Sequence, residues 1–427
     1  MDCTLGSDKN KFKEIDIKAG KEINFMLQQE DRLIDFLKRI KGSLSGKLYK
    51  ILYPRGSKPG VMYGLSKVHK PLVDGFPKLR PILSAINTAT YKWAKFFVPL
   101  LKCLTINDFS IKDSFEFSEE ITKQCSEMFM ASLDVESLFT NVPLDETINI
   151  CVNELFKNQQ MIKGLDKNQV HEMLSLTSKE SIILFNDKFY SQIDGVAMGS
   201  PLGPTFANTF LCYHEVKWLE NCPKAFKPIY YKRYVDDIFV LFNKADHLQP
   251  FVLYMNKRHK NIKFSFEAEK EGVLPFLDVK IFREKGKFVT SVFRKETFSG
   301  VYTNYLSFIP REYKFGLIYT LLYRCFNLVS DLSKFHHEVD ELKRILYKNA
   351  YPQKLIDKCI FKFLNNCFVV KPQVATAPKK ELSIVLPYLG NLSHLVKKRL
   401  NKTINRHLKF CKLRLIFLNN NRLNNYF

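Results

Sequence analysis

The chain has 427 residues, 46% of them hydrophobic, an ordinary share for a globular protein of two or three packed units. No apolar run approaches about 18 residues, so no transmembrane helix is expected, and the polar start MDCTLGSDKN is not a signal peptide. Lys and Arg number 66 against 43 Asp and Glu, a formal net charge of +23, which points to a polyanionic partner.

The predicted elements follow in chain order. Residues 21–41 place Ile23, Met26, Leu27, Leu33, Ile34, Leu37 and Ile40 at helical spacing, with Gly42 as a stop. Residues 53–82 are rich in Pro, Gly and Lys and read as loop and short strands. Ile82–Leu101 reads as a helix after Pro81. Phe129–Leu133 is a short apolar strand ending at Asp134, and Pro143 opens a helix to about Phe156. Residues 181–193 form a hairpin turning at Asn186-Asp187. A glycine-rich loop, Gly195–Pro204, leads into a helix to about Leu219. The segment IYYKRYVDDIFVLF (229–242) is a second hairpin. Residues 311–328, 333–348 and 352–366 are three helices, broken at Ser330-Asp331 and at Tyr351-Pro352. KPQVATAPKK (371–380) is a linker by composition.

Asn391–Phe427 holds nine Lys or Arg and no Asp or Glu, interleaved with Leu, Ile and Phe. That pattern suits a helical pair with one apolar side docked and one basic side along a nucleic-acid backbone. Ten cysteines without CxxC or Cys/His spacing read as reduced thiols in an intracellular protein, with no zinc module. The adjacent His336-His337 with Glu338 does not have the spacing of a helical metal-ligand pair.

Asp236 and Asp237 put two like charges side by side between apolar β-formers. Asp is a favoured turn residue, and a surface turn explains the pair without further function. A divalent cation explains it too, because metal charge offsets carboxylate repulsion. Asp134, at the end of its own strand, is open to the same two readings, a cap or turn residue or a metal ligand. Two strands ending in carboxylate make a two-metal site possible, with ions about 3.5–4 Å apart activating a hydroxyl and stabilising a leaving pyrophosphate.

Taken together these motifs resemble the reverse transcriptases. Asp134, Phe139 and Val142-Pro143 are similar to their motif A, GVAMGSPLGPTFANTFL (195–211) to motif B, Tyr234-Val235-Asp236-Asp237 to the YxDD box, and LPFLDVKIF (274–282) to the primer-grip strand. Within them, YGLSKVHK (63–70), LRPILSAI (79–86), SLDVESLFTNVPLDETI (132–148), FRKETFSGVYTNYLSFIP (293–310) and LPYLGNLS (386–393) resemble Penelope-like retroelement enzymes over roughly residues 61–427.

The resemblance implies an α+β right-hand polymerase, with fingers, a palm built on an antiparallel sheet, a helical thumb and a basic C-terminal segment. Residues 1–60 are then a helical extension, 61–290 fingers and palm, 291–370 the thumb-like region and 371–427 linker and basic tail. It implies Asp134 and Asp236 as ligands of two Mg²⁺ ions (Mn²⁺ as substitute), with Asp237 as a weaker or outer carboxylate. Phe139 is the expected gate against a 2′-hydroxyl, or else plain core. Gly199, Ser200 and Pro201 form the loop at template base and nucleotide. Met198 stands where many relatives have Gln. Arg80 and Lys70, the latter in competition with Lys67, hold the triphosphate, and Lys270 protonates the pyrophosphate.

The expected partners are an RNA template, a DNA primer, their hybrid and deoxynucleoside triphosphates, inside the cell and in the nucleus, with no membrane. The signature of a GIY-YIG endonuclease is not found; Tyr388-Leu389-Gly390 is not it. The alternative function is a catalytically inactive nucleic-acid-binding relic. An RNA-making polymerase is disfavoured by Phe139.

Overall fold

The computed structural model describes residues 12–15, 22–66, 72, 75–77, 79–179, 181–284, 286–368, 380–407 and 411–418. The elements begin with β1 (Phe12–Ile15), α1 (Glu22–Arg39), α2 (Gly46–Leu52), β2 (Gly60–Ser66), β3 (Leu79–Ser84), α3 (Tyr91–Leu101), α4 (Ser114–Ile121) and β4 (Phe129–Val135). They continue through α5 (Leu144–Leu155), α6 (Lys167–Lys179), β5 (Ile182–Phe185), β6 (Lys188–Gln192), α7 (Leu202–Glu220), β7 (Tyr230–Tyr234), β8 (Asp237–Phe242) and α8 (Leu248–Asn256). Then come β9 (Phe264–Ala268), β10 (Val273–Phe276), β11 (Val279–Glu284), β12 (Lys287–Val292), α9 (Arg311–Leu328), α10 (Leu332–Lys348), α11 (Gln353–Phe368), β13 (Lys380–Pro387), α12 (Asn391–His407) and β14 (Cys411–Leu418). The architecture is α+β, and the described residues fall into two compact units.

The first unit takes in residues up to 117, 124–277 and 282–287. It holds a four-stranded sheet of order β7-β8-β4-β9, antiparallel throughout. It also holds a five-stranded sheet of order β1-β6-β5-β2-β3, in which only β2 and β5 run parallel. Strand β8 is apolar on both faces and buried from Ile238 to Phe242, as an inner strand must be. Ile238, Val240 and Phe242 join one large core with Phe206 and Phe210 of α7 and Ile148 and Cys151 of α5. Phe239, on the other face, packs against Phe117 and Phe276.

Three features of this unit depart from expectation. The stretch 82–101 is helical only from Tyr91, because residues 79–84 extend to pair with β2, Arg80 opposite Leu65. Pro81 sits in β3, an edge strand, where its missing N–H costs no ladder bond to an outer neighbour. Leu27 of α1 is exposed, whereas Met26, Leu33, Leu37 and Ile40 are buried. The N-terminal region also adds an edge strand, β1, to the five-stranded sheet.

The second unit takes in 118–123, 278–281 and the described residues from 288 on. Helices α9, α10 and α11 share a core of Ile318, Leu322, Leu342, Leu346, Tyr351 and Ile356. The break before α10 is made by Asp331, whose carboxylate accepts from Ser333 and Lys334 N–H at 2.9 and 3.1 Å. The break before α11 turns through Ala350 at φ +64°. The basic segment is not a helical pair. Strand β13, helix α12 and strand β14 form a crossover unit with β13 and β14 parallel. It docks on its own unit through Phe308 and Tyr388, ring centroids 5.1 Å apart, and through Lys397 and Glu312 at 2.7 Å. The linker expected at 371–380 lies, but for Lys380, outside the described residues. No described helix is long and apolar enough to cross a membrane.

Candidate active site

Four residues form a row across the end of the four-stranded sheet. Tyr234 pairs with Asp237, Asp237 with Asp134, and Asp134 with Ser265. Cross-strand partners share a face, so Asp134 and Asp237 present their carboxylates side by side. All four positions are exposed or half-exposed at the sheet's end. The register sets Asp237 directly opposite Asp134. Asp236 occupies the turn one residue beyond.

That turn is a two-residue hairpin of Val235 and Asp236. Val235 has φ +57°, a region unfavourable to a β-branched residue and usually given to Gly. Two donors hold the turn's carbonyls. Val135 N–H donates to the Asp236 carbonyl at 3.1 Å. The Arg233 guanidinium donates to the Val235 carbonyl at 3.0 Å.

Arg233 was not singled out from the sequence. It is 1% exposed, as is Glu215 of α7. Its Nε and Nη2 fork onto Glu215 Oε2 and Oε1 at 2.7 and 2.8 Å. Burial by itself would lower the Arg233 pKa, but the Glu215 carboxylate outweighs it and raises it. Burial, with Glu215 beside it, also holds the Tyr231 hydroxyl protonated, and it donates to Glu215 at 3.4 Å. The available signal was a charged residue at a buried position of a strand and another on the mostly apolar face of a helix.

The loop before α7 is locked by close backbone approaches. A Cβ on Gly195 (φ +78°) would lie 2.6 Å from the Thr140 carbonyl oxygen. Val196 N–H donates to the Phe139 carbonyl at 2.7 Å, and Leu83 N–H of β3 to the Met198 carbonyl at 2.7 Å. The close approach that Gly199 permits is to Leu83. This loop thus brings Phe139, Gly199, Ser200 and Pro201 together with β3. Phe139 is half-buried; a Cβ on Gly203 would meet its ring at 3.5 Å. Arg80 is exposed on β3, three residues before Leu83.

Lys70, with Lys67, lies outside the described residues. Lys270 follows the far end of β9: Ser265 is level with Asp134, Ala268 with Ala131. Lys270 lies two residues past the end of β9, whereas Asp134 is level with Ser265 near its start.

Among the described residues, no three His, Cys, Asp or Glu side chains gather to hold a metal ion by themselves. Mg²⁺ typically takes only one or two carboxylates and completes its shell with water and substrate phosphate. Asp134 facing Asp237, with Asp236 adjacent, fits that habit. Glu338, by contrast, is forked by Arg294, with one bond at 2.9 Å, and is a structural partner in its unit. Among the described residues all cysteines are free thiols.

Residues 68–280 match the family described as "Reverse transcriptase (RNA-dependent DNA polymerase)", and residues 301–361 match "Animal helix-turn-helix domain". No curated protein matches the chain. Among solved structures, the chain is similar to the apo telomerase of Candida tropicalis truncated from its C-terminal domain. Identity is 14% and the TM-score 0.40, covering 54% of this chain and 55% of that one. It is also similar to Candida albicans telomerase in complex with a TWJ fragment of telomeric RNA, at 11% identity and TM-score 0.43, over 76% and 65%. The Sicinivirus 3Dpol RNA dependent RNA polymerase matches at 13% identity and TM-score 0.46, over 75% and 71%. The chain spans 55% and 65% of the length of these two telomerases. Residues 68–280 of this chain are a reverse transcriptase (RNA-dependent DNA polymerase) domain.

Proposed function

We propose that the protein is an RNA-directed DNA polymerase of a Penelope-like retroelement. The observation that carries this reading is the facing pair Asp134 and Asp237, with Asp236 in the adjoining turn, inside a reverse transcriptase domain. In this reading the four-stranded sheet is the palm, β2 and β3 belong to the fingers, and 291–370 is the thumb. Two Mg²⁺ ions, or Mn²⁺ in their place, supply charge stabilisation of the leaving pyrophosphate and acidify the primer hydroxyl when bound.

The chain's own residues do the rest. Asp134, Asp236 and Asp237 hold the ions at the sheet's end. Arg80 orients the triphosphate with a bidentate fork. Phe139 fills the space under the sugar, so a 2′-hydroxyl is excluded and deoxynucleotides are chosen. Gly199, Ser200 and Pro201 shape the nucleotide's other side. The template is RNA, the primer DNA, and the product hybrid runs along basic surfaces. Lys354, Lys358 and Lys362 form an exposed basic stripe on α11, within or just past the helix-turn-helix match. Lys397-Lys398-Arg399 suits a nuclear-import signal.

The test is primer extension with matched RNA and DNA templates in Mg²⁺. Template-directed deoxynucleotide incorporation on RNA is the expected result. A folded, nucleic-acid-binding chain with no incorporation in Mg²⁺ or Mn²⁺ identifies the inactive relic instead.

A further inference from the structure

The YVDD turn is held from beneath by a buried polar assembly. Arg233 uses all five N–H groups of its guanidinium. Two go to Glu215, one to Cys212 Sγ at 3.1 Å, and Nη1 serves both Asn208 Oδ1 at 2.8 Å and the Val235 carbonyl at 3.0 Å. Glu215 also accepts from Asn107 Nδ2 at 2.6 Å. The Arg233 main chain is fastened on the outer side of β7, its N–H to the Phe109 carbonyl at 2.7 Å and its carbonyl from Ile111 N–H at 3.0 Å. Asn208, Cys212 and Glu215 recur at four and three residues along α7, so one helix face provides the anchors. The same helix begins at the loop of Gly199, Ser200 and Pro201.

A β-branched residue at φ +57° persists only where its surroundings over-determine it. Here Arg233 Nη1 on the Val235 carbonyl is the side-chain contact that holds it, beside the main-chain bond from Val135 N–H to the Asp236 carbonyl. The geometry points to Arg233 as a positioning residue: gripped by Glu215 and Asn208, it sets the strained Val235–Asp236 turn and thereby the place of Asp236 beside Asp134. It touches neither substrate nor metal. Lys cannot replace it, since one ammonium at the end of a flexible stem does not reproduce a fork to Glu215 plus a fixed bond to Val235. This inference rests on the polymerase reading. The bland account is a buried ion pair that only stabilises the fold.

The two accounts separate because a buried pair can often be exchanged for apolar residues of similar volume without loss of stability. The test compares wild type, Arg233→Met with Glu215→Leu in one chain, Arg233→Lys, and Asn208→Ala. Melting temperature, template–primer affinity, single-turnover incorporation rate and half-saturating Mg²⁺ are measured for each. Misplacement by about 1 Å costs on the order of 10²-fold in rate. The double variant is expected to fold and to bind template–primer, with some loss of stability from Asn107 and Tyr231 left without Glu215, yet to incorporate about 10²-fold more slowly and need several-fold more Mg²⁺. Arg233→Lys shows the same pattern and Asn208→Ala a smaller one, which keeps the test decisive if the double variant does not fold. A folded double variant, or a folded Arg233→Lys, with wild-type rate and Mg²⁺ dependence overturns the inference. A wild type that extends no primer overturns the polymerase reading and this inference with it. An active wild type with an equally active variant overturns this inference alone.

Discussion

A Cβ on Gly199 would lie 1.9 Å from the carbonyl oxygen of Leu83, at a backbone φ of +116°. Neither atom belongs to a flexible side chain, so the clash is relieved only by moving β3 or the loop. Gly199→Ala should therefore destabilise the protein by about 2–5 kcal/mol, from the strained φ and the overpacking together. Gly316, in the middle of α9 with nothing near its missing Cβ, is the contrast. Gly316→Ala should stabilise by roughly 0.5–1 kcal/mol, as Ala does in a helix interior. Thermal unfolding of the two variants checks both signs.

The facing carboxylates make a prediction that does not depend on catalysis alone. Like charges directly opposite on antiparallel strands are destabilising by about 0.2–1 kcal/mol. Asp237→Asn removes one of the two facing charges, and the melting temperature of variant and wild type is measured in chelator and in Mg²⁺. Mg²⁺ should raise that of the wild type more than that of the variant. Asp236→Asn should lower the incorporation rate by at least ~10³ while leaving template–primer binding intact. Wild-type extension by Asp236→Asn would sink the assignment.

Phe139 is half-buried against Gly203, at the point where the loop before α7 meets the segment after β4. Phe139→Ala should raise the efficiency of ribonucleotide over deoxynucleotide incorporation. Part of its ring packs in the core, so the variant should also lose stability. The matched efficiency ratio separates the two roles, for a core residue would change stability and leave the ratio alone.

His214 and His259 both meet Glu146, at 2.9 and 3.1 Å, and His214 stacks on Trp218. Burial lowers the His214 pKa, and Glu146 only partly opposes it. The unfolded chain then takes up a proton at higher pH than the folded one. Stability conferred by the neutral ring is full above the ordinary histidine range and falls as pH drops below about 6.5. His214→Gln should flatten that acid limb. Unfolding curves from pH 8 to pH 5 that are parallel for variant and wild type would remove His214 from the account.

Deleting the basic tail would tear β14 from β13, so charge is better removed than chain. Lys398, Arg399 and Lys402 are exposed on α12, whereas Lys397 is engaged by Glu312. Changing these three to Gln should weaken binding to duplex DNA and flatten the slope of log K against log salt by about 2–3. Sequence preference should stay as it was, since phosphate contacts position without specifying. An unchanged salt slope would mean that this face does not meet phosphate.

What the sequence determined by itself was local. Asn186 and Asp187, both at positive φ, mark the β5–β6 turn because their short side chains tolerate that region. The helices near 311–328, 333–348 and 352–366 were legible, with their breaks at Ser330-Asp331 and Tyr351-Pro352, and so was the order of the polymerase motifs. What needs a distant partner was not legible. Residues 79–84 are a strand because β2 lies beside them, and Pro81 alone read as a helix opening. The basic segment became strand, helix and strand because β13 and β14 pair with each other. That Lys270 lies past the end of β9 away from the level of Asp134 was not legible either, since strand register, and not distance along the chain, decides which residues share a level. The pairing of Asp134 with Asp237, and the grip of Arg233 by Glu215 beneath them, were likewise decided only by the tertiary structure. A buried charge needs a partner, but which partner depends on how α7 packs under β7, and no local pattern encodes that contact.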